Sequence, residues 1–366
     1  MEEKYTFYHF SPFINEETAH GGTKRSTQII ELFESIGWKR VSLDIPLGGI
    51  RNFSFFQKIN LLIRGLLFWA VYTQFEKTSI MGIIRNGHYS MLIKRELATM
   101  SPDMTFVIED YLLIGRVLMR VLRKDYPAAR IIGVVHNIES LVYKNQSRVT
   151  NRISPEWIAE DIEYLNIPDL TLTISQEENW LLRCLGVDAI YVPYEASREQ
   201  KDIIARIKGA RAQSKKENYL VIGTATNEPT YYGMQELLTA LDTENVNIRV
   251  VGNGTSSLQT TNPLIKIVGK VSEEQIISEL STCKAVIIHH LPTSGFITRM
   301  VDYTDMTIPI ICNADAARCL PSNAVGKIYT SVEVLKDCLA NESYKTTPVR
   351  ENYSSSEALD FLSNWN

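Results

Sequence analysis

Short apolar runs rich in β-branched residues alternate along the chain with segments whose apolar residues recur at helical spacing. The clearest example begins with the apolar run Ala285–Ile288, which is followed by a polar loop at His289–Gly295. A helical pattern at Phe296–Met306 and a second apolar run at Ile308–Cys312 come next. Short apolar runs between loop residues are typical of buried strands. This order predicts a βαβ unit with parallel strands, in which ligands bind at the carboxyl ends of the strands.

The same alternation predicts the rest of the secondary structure. Strands are predicted at Tyr5–Phe10, Val41–Ile45, Thr105–Ile108, Ile131–Val135, Thr171–Ile174, Ile190–Val192, Leu220–Ile222, Ile248–Val251 and Ile265–Val268. Helices are predicted from Thr23 or Ser26 to about Ile36, over Leu112–Leu122, from Pro155, over Met234–Leu241 and over Ser354–Trp365. Capping boxes at Ser175–Glu178 and Ser272–Gln275 mark two further helix starts.

This succession of strands and helices predicts an α/β protein with two doubly wound, Rossmann-like domains that face each other across a cleft. We place the first domain at residues 1–195 and the second at 196–350, with a helix in 351–366. Residues 197–217 are rich in Lys, Arg, Gln and Ser, which predicts a linker or an exposed helix between the halves. A cleft between two such domains suits a ligand of two parts, one held by each half.

Composition narrows the class of protein. Apolar residues make up 45% of the chain and charged residues 22%, as in ordinary globular domains. The net charge of −4 and the pI of about 6.0 argue against a nucleic-acid partner. The five cysteines form no CxxC pair, which fits a reducing compartment and gives no metal signature. Because the N-terminus also lacks the pattern of a signal peptide, we predict a cytoplasmic protein without a transmembrane helix.

Residues 51–95 mix aromatic and basic side chains. Phenylalanines, leucines and Trp69 stand among Arg51, Lys58 and Arg64, and further basic residues follow. Such a mixture on a helix suggests contact with a membrane surface or with an anionic lipid-linked partner. Contact with a membrane would place the protein peripherally at its inner face. A core helix with solvated charges accounts for the pattern equally well.

Glycines and one histidine stand where predicted strands end. Gly21 and Gly22 follow the first strand, and His136 follows Ile131–Val135. The second half carries Gly223, Gly252, Gly254, Gly269 and Gly295 in corresponding loops. These residues should line the cleft, because parallel strands end at one edge of a sheet and glycine lets backbone approach a ligand. A plain tight turn at the glycine pair and a structural role for His136 remain open alternatives.

Several known motifs are absent. Gly252–Ser257 looks like a dinucleotide fingerprint, but its third glycine is missing and Thr260–Pro263 predicts a loop where the motif needs a helix. The chain also contains no P-loop, HExxH, GxSxG or di-acid DxD motif. The sequence therefore predicts neither a metal nor a bound cofactor.

Seven segments together resemble the GT-B glycosyltransferases, in particular the large retaining family of bacterial "group 1" transferases. They are HNIE at His136–Glu139, LTLTISQEE at Leu170–Glu178, YVPYE at Tyr191–Glu195, IGTATNEPTYYGMQELL at Ile222–Leu238, VVGNG at Val250–Gly254, IVGKVSEEQ at Ile267–Gln275 and GFITRMVDYTDMTIPII at Gly295–Ile311. The resemblance covers nearly the whole chain. It implies that the second half binds a nucleoside diphosphate, that the first half binds the acceptor, and that the tail crosses back to the first half.

The resemblance also implies residue roles. His136 would contact the transferred sugar, Lys270 and Val271 would bind the base through backbone atoms, and Asp302 would bind ribose hydroxyls. Together with the strand-end loops this gives a donor site of Gly21, Gly22, Gly223, Thr224, Gly252, Asn253, Gly254, Lys270, Val271, Ser294, Gly295 and Asp302. Acceptor binding is assigned to Lys24, Asn137 and Glu139.

The chain departs from the family pattern at the diphosphate site. Ser294 and Asp302 replace an E-x7-E pair, and Thr224 and Tyr232 stand near the positions of the usual Arg and Lys. The charge of the phosphates must then be met by backbone amides after Gly295, by Arg299 and by Lys24. We assign a catalytic role to Arg299 and to His136.

These patterns predict a retaining, metal-independent glycosyltransferase that moves a sugar from a nucleotide sugar to a saccharide or lipid-linked acceptor, as in the biosynthesis of surface polysaccharides. A nucleotide-sugar 2-epimerase is one alternative, because it shares this architecture. A degenerate subunit that binds or stabilises a partner is another, because the usual basic residues are missing.

Overall fold

The computed structural model describes residues 5–13, 21–45, 53–72, 79–101, 103–109, 113–142, 155–344 and 362–363. Two six-stranded sheets, each wholly parallel, form the frame of the molecule. Helices lie between successive strands, as parallel connections require. The prediction of an α/β fold with two doubly wound halves is confirmed.

The first half contains six strands in the spatial order β2-β1-β3-β4-β5-β6. The strands are β1 (Tyr5–Phe10), β2 (Trp38–Ser42), β3 (Thr105–Ile108), β4 (Arg130–Val135), β5 (Leu170–Thr173) and β6 (Ala189–Tyr191). The helices are α1 (Gly21–Ser35), α2 (Phe55–Tyr72), α3 (Ile80–Leu97), α4 (Leu113–Asp125), α5 (Pro155–Leu165) and α6 (Gln176–Cys184). Every residue of β5 is buried, as expected of a strand covered on both faces.

The second half repeats the design with the order β12-β11-β10-β7-β8-β9. Its strands are β7 (Asn218–Ile222), β8 (Ile248–Val251), β9 (Ile265–Gly269), β10 (Cys283–Ile288), β11 (Ile310–Asn313) and β12 (Gly326–Tyr329). Its helices are α7 (Arg198–Gln213), α8 (Glu228–Ala240), α9 (Glu273–Thr282), α10 (Arg299–Asp305), α11 (Ala314–Ala317) and α12 (Val332–Asn341). The segment predicted as a linker or exposed helix is therefore α7.

Two elements begin earlier than the sequence predicted. Strand β2 starts at Trp38, because Gly37 adopts a φ of +85° and turns the chain straight into the sheet. Helix α8 starts at Glu228 and runs through Gly233, which the sequence prediction left outside the helix. A Cβ on Gly233 would stand 2.4 Å from the backbone oxygen of His289, so glycine is needed there to let the helix approach β10.

Helices α2 and α3 follow β2 and precede β3 in the chain, and they pack against each other as a hairpin. Glycines let the two backbones come close together. A Cβ on Gly65 would stand 1.9 Å from the Ile83 oxygen, and one on Gly87 would stand 2.2 Å from the Leu61 oxygen, so a larger residue would not fit at either position. Ile93 of α3 joins the core of the first half. The core-helix interpretation of residues 51–95 therefore holds for the inner face of α3. Arg51 lies outside the described residues.

The C-terminal tail, predicted as a helix over Ser354–Trp365, is described only at Leu362 and Ser363, which are helical. Leu362 is buried in the same apolar cluster as Phe7, Ile29 and Phe33 of the first half. Among the described residues, no helix combines the length and the apolar character needed to cross a bilayer. The domain boundaries at 195 and 350 remain predictions.

Candidate functional site in the cleft

The two halves meet where strand-end loops face each other. Ser294, which follows β10, donates a hydrogen bond from its Oγ to the Ile138 oxygen at 2.8 Å, and its N–H donates to the Leu141 oxygen at 3.3 Å. A Cβ on Gly295 would stand 3.2 Å from the Asn137 Oδ1 atom. The loop after β10 therefore lies directly against the HNIE segment after β4. Asn137 also donates from Nδ2 to the carboxylate of Glu139.

Helix α10 begins at Arg299, whereas the sequence predicted a start at Phe296. The N–H groups before it serve other partners: that of Gly295 donates to Glu178 Oε1 at 2.8 Å, and that of Ile297 donates to the Cys319 sulfur at 3.4 Å. Gly295 also has a φ of +85°, outside the extended backbone that the residue before a helix typically adopts. Of the amides after Gly295, to which the sequence analysis assigned phosphate charge, those of Ile297 and Thr298 have partners in this arrangement of the chain, the latter donating to the Phe296 oxygen at 3.2 Å.

Glu178 joins the halves instead of completing the predicted capping box. Ser175 caps α6 as expected by accepting from the Glu178 N–H. The carboxylate of Glu178, however, accepts from the N–H groups of Gly295 and Ile138, and the side chain is buried. Burial raises the pKa of Glu178, although the two backbone hydrogen bonds lower it.

This burial gives a stability prediction. A carboxyl group whose pKa is raised on folding destabilises the folded state at pH values above its unfolded pKa, and this cost disappears as the group becomes protonated at lower pH. Glu178→Gln keeps an oxygen that can accept from Gly295 and removes the charge. We expect its melting temperature at pH 7 to equal or exceed that of the wild type, with the difference shrinking as pH falls. A large loss at pH 7 would show that the charge itself is needed.

Asp302 holds a second contact between the halves. Its carboxylate, which is almost wholly buried, accepts from Lys24 Nζ at 2.5 Å, from the Tyr194 hydroxyl at 3.3 Å and from Gln200 Nε2 at 3.3 Å. Burial and the neighbouring Asp302 raise the pKa of Tyr194, so its hydroxyl stays a donor. Lys24, assigned to the acceptor, and Asp302, assigned to ribose, are therefore brought together. A ribose hydroxyl that binds Asp302 would therefore share its carboxylate with three donors.

His136 is held by a buried carboxylate. Its Nε2 lies 3.1 Å from Glu109 Oε2, and Glu109 Oε1 lies 2.6 Å from His9 Nε2. The hydroxyls of Ser26 and Ser11 also donate to Glu109. Burial alone would raise the pKa of Glu109, but the hydrogen bonds and charges of the two histidines hold it well below its usual range. An ionised Glu109 fixes the ring of His136 at the end of β4.

Glu109 and Glu178 are the residues that the sequence analysis missed. Glu109 follows the last residue of β3 directly, which is the same rule that singled out His136 after β4. The position of Glu109 at a strand end is therefore a signal in the sequence that points to the cleft. Glu178 gave no such signal, because its position in a capping box explained it locally.

Arg299 stands between the ends of β7 and β10. Its Nη1 would lie 3.6 Å from a Cβ on Gly223, and its charge acts on His290, the second residue after β10. Burial first, and then the charge of Arg299 among others, lowers the pKa of His290 to about 4, so that His290 is neutral at pH 7. The Nε atom of Arg299 is buried, and none of the described residues accepts its N–H. This guanidinium places a fixed positive charge at the ends of β7 and β10.

The glycine loops of the second half pack against one another. A Cβ on Gly252 would stand 1.9 Å from the Gly223 oxygen, and one on Gly254 would stand 2.9 Å from the Thr226 nitrogen. Asn253 accepts from the Ala225 N–H at 2.8 Å. The sequence-predicted donor residues Gly223, Thr224, Gly252, Asn253 and Gly254 therefore form one surface at the ends of β7 and β8. Lys270, which is exposed, and Val271 follow β9 at the same edge.

The first half contributes the start of α1. Gly21 and Gly22 are the first residues of this helix, and a Cβ on Gly21 would stand 3.3 Å from the Thr298 Oγ1 atom, just before α10. The N-terminal end of α1 thus reaches the second half beside Arg299. A helix N-terminus carries a partial positive charge that favours an anion. Within the described residues, no group of three or more His, Cys, Asp or Glu side chains could hold a metal ion.

Known structures of the same architecture cover almost all of the chain. A sucrose-phosphate synthase from Thermosynechococcus elongatus matches with a TM-score of 0.63 at 12% identity, over 99% of this chain and 96% of its own. A trehalose-6-phosphate structure from E. coli, bound with UDP-2-fluoro glucose, matches with a TM-score of 0.58 at 10% identity, over 97% and 93%. No family model and no curated protein matches the sequence.

A third match concerns glycosyl transfer itself. This structure is of a trehalose-6-phosphate synthase, and bisubstrate glycomimetics were used with it to study glycosyl transfer with retention. It matches with a TM-score of 0.55 at 10% identity, over 97% of this chain and 92% of its own. At such low identity these likenesses show the fold alone. They show that the chain has the GT-B fold that the sequence resemblance implied.

Proposed function

We propose that the protein is a glycosyltransferase that takes a sugar from a nucleotide-diphosphate sugar. The observation that carries the proposal is the position of Arg299, whose guanidinium stands at the strand ends of the second half with a buried N–H left for an acceptor. A departing nucleoside diphosphate needs positive charge at that point, because negative charge develops on it as the sugar leaves. The structural neighbours with this fold include one bound with UDP-2-fluoro glucose.

The geometry supports a division of roles between the halves. Glycine loops at Gly223 and Gly252–Gly254 offer backbone surface for the nucleotide, and the start of α1 adds a positive helix end from the opposite side. His136 stands on the first half, fixed by Glu109, where a transferred sugar would lie between the two domains. Retention of configuration is proposed by analogy with the third structural neighbour. The acceptor is a saccharide or a lipid-linked saccharide, as in the assembly of a surface polysaccharide or glycoconjugate.

We also propose that the transfer is metal-independent and takes place in the cytoplasm. Arg299 supplies the charge that a bound metal supplies elsewhere. The five cysteines are free thiols and four of them are buried, which suits a reducing compartment.

Metal independence gives a binding prediction. Calorimetry with a nucleoside diphosphate in the presence of a chelator should show the same affinity as calorimetry with added Mg²⁺ or Mn²⁺. A panel of uridine, guanosine and adenosine diphosphates identifies the base, and the uncharged nucleosides serve as controls. Binding that appears only with metal would contradict the proposal.

A second function, that of a nucleotide-binding subunit without transferase activity, is favoured by one observation. Ser294, Gly295 and Asp302, which take the positions of the family's donor contacts, are all engaged in contacts between the halves. An assay of donor hydrolysis separates the two functions. Release of free sugar from a nucleotide sugar supports the transferase, whereas tight nucleotide binding without turnover across a panel of donors supports the subunit.

A further inference from the structure

Helix α2 has one face packed against the protein. Leu61, Gly65 and Phe68 are its buried residues, and they recur at helical spacing on the side that meets α3. Phe68 also joins the core cluster of the first half. This single stripe satisfies the packing of the helix, so any further apolar face on α2 is not needed for the fold.

The opposite face of α2 is apolar and exposed. Phe56 is 81% exposed and Leu67 is 62% exposed, with Ile59 and Ile63 between them on the same side. At about 100° per residue, the exposed apolar residues fill a sector of roughly 120° that points away from the packed stripe. The full set is Phe55, Phe56, Ile59, Ile63, Leu66, Leu67 and Ala70. A contiguous apolar surface of this kind on a monomer marks an interaction site.

Exposed apolar residues are also found at the N-terminal end of α3. Ile80 and Met81 begin that helix and are exposed at 71% and 48%. They follow the C-terminal end of α2, where Val71 is also exposed. Among the described residues, exposed apolar side chains therefore lie along α2 and at the start of α3.

The charge on the two helices of the hairpin is mainly positive. Helix α2 carries Lys58 and Arg64 and no acidic residue, and α3 carries Arg85, Lys94 and Arg95 against Glu96 alone. The whole chain, in contrast, has a net charge of −4. On the helical wheel, Lys58 and Arg64 each lie about 60° beyond one border of the apolar sector. Basic side chains at both borders are placed to reach lipid phosphates while their stems lie along the apolar surface.

We propose that α2 lies in the plane of an anionic membrane surface, with its apolar sector entering the boundary between headgroups and acyl chains. The pattern of a solvent-facing apolar sector, basic borders and no acidic residue suits an anionic lipid surface. A second copy of the chain is the less suitable occupant, because a symmetric contact of these faces brings Lys58 and Arg64 towards their own copies. The inference is independent of the proposed donor site, since it rests only on α2 and the start of α3.

The test is co-sedimentation of the full chain with vesicles of phosphatidylcholine alone or mixed with phosphatidylglycerol, at low and high salt. We expect binding to the mixed vesicles that weakens at high salt. Phe56→Ser/Ile63→Ser/Leu67→Ser should abolish it. Lys58→Gln/Arg64→Gln should lower the partition coefficient by about twenty-fivefold, because each basic residue near an anionic surface contributes roughly fivefold.

Matched controls keep the test decisive. Trp157 and Trp180 are exposed at 45% and 68% outside the hairpin, so Trp157→Ser/Trp180→Ser should bind vesicles like the wild type. Nucleotide binding by calorimetry should be unchanged in every variant, which separates failure here from failure of the proposed function. Absence of vesicle binding at low salt, or equal binding by the triple variant, would overturn the proposal. Self-association of the wild type that the triple variant abolishes would assign the face to a second copy instead.

Discussion

Replacing His136 with alanine is expected to lower turnover by about a hundredfold, the contribution of one positioned catalytic group. The reason lies in how the ring is held. Glu109 engages Nε2 at 3.1 Å, so Nδ1 is the nitrogen left for the donor sugar. Steady-state kinetics with the nucleotide sugar identified by the calorimetric panel measure the effect. Affinity for the nucleoside diphosphate alone should hardly change, because His136 stands on the acceptor half.

If His136 had only a structural role, the substitutions would affect turnover and melting temperature together. His136→Gln retains an amide that can donate to Glu109, so it should keep the melting temperature of the wild type while remaining nearly as slow as the alanine variant. Glu109→Gln removes the charge that fixes the ring and should lower both turnover and stability, since it leaves His9 and His136 without the buried negative charge that they share. If His136→Ala lost activity only in proportion to folded protein, the residue would belong to the fold.

Much of the fold follows from local patterns. The βαβ unit from Ala285 to Cys312 was predictable because strand, loop and helix residues each obey their own spacing rule. The capping box at Ser272–Gln275 is present as predicted. The same motif at Ser175–Glu178 is not completed, because the Glu178 carboxylate finds a partner in the other half. A local rule fails there because a contact between the two halves takes precedence.

The candidate site was only partly predictable for the same reason. His136 and the glycine loops stand at strand ends, which topology alone brings to one edge of each sheet. The contact of Lys24 with Asp302 joins residues 278 positions apart, and no spacing rule predicts which strand-end side chains will pair across the cleft. The contacts around the start of α10 were equally hidden, since the N–H groups of Gly295 and Ile297, which a helix starting at Phe296 would leave without an intrahelical partner, donate to Glu178 and Cys319.

Replacing Arg299 with methionine is expected to weaken binding of the nucleoside diphosphate by roughly ten- to hundredfold, because a charge-assisted hydrogen bond is worth about 1.5–3 kcal/mol. Thr224 and Tyr232, which stand near the usual positions of the basic clamp, cannot replace it. His290 beside it is neutral at pH 7, since its pKa is lowered to about 4. Methionine keeps much of the stem, so the packing of α10 should persist.

Calorimetry on the diphosphate and on the uncharged nucleoside distinguishes a phosphate contact from a general disturbance of the site. The diphosphate should lose most of the affinity and the nucleoside far less, because only the phosphates carry the charge that Arg299 meets. Arg206→Met is the matched control: Arg206 is a helix arginine of the same half, exposed and 3.6 Å from Glu273. It should bind both ligands like the wild type. Equal diphosphate affinities for the wild type and Arg299→Met would remove Arg299 from the site and favour the inactive subunit.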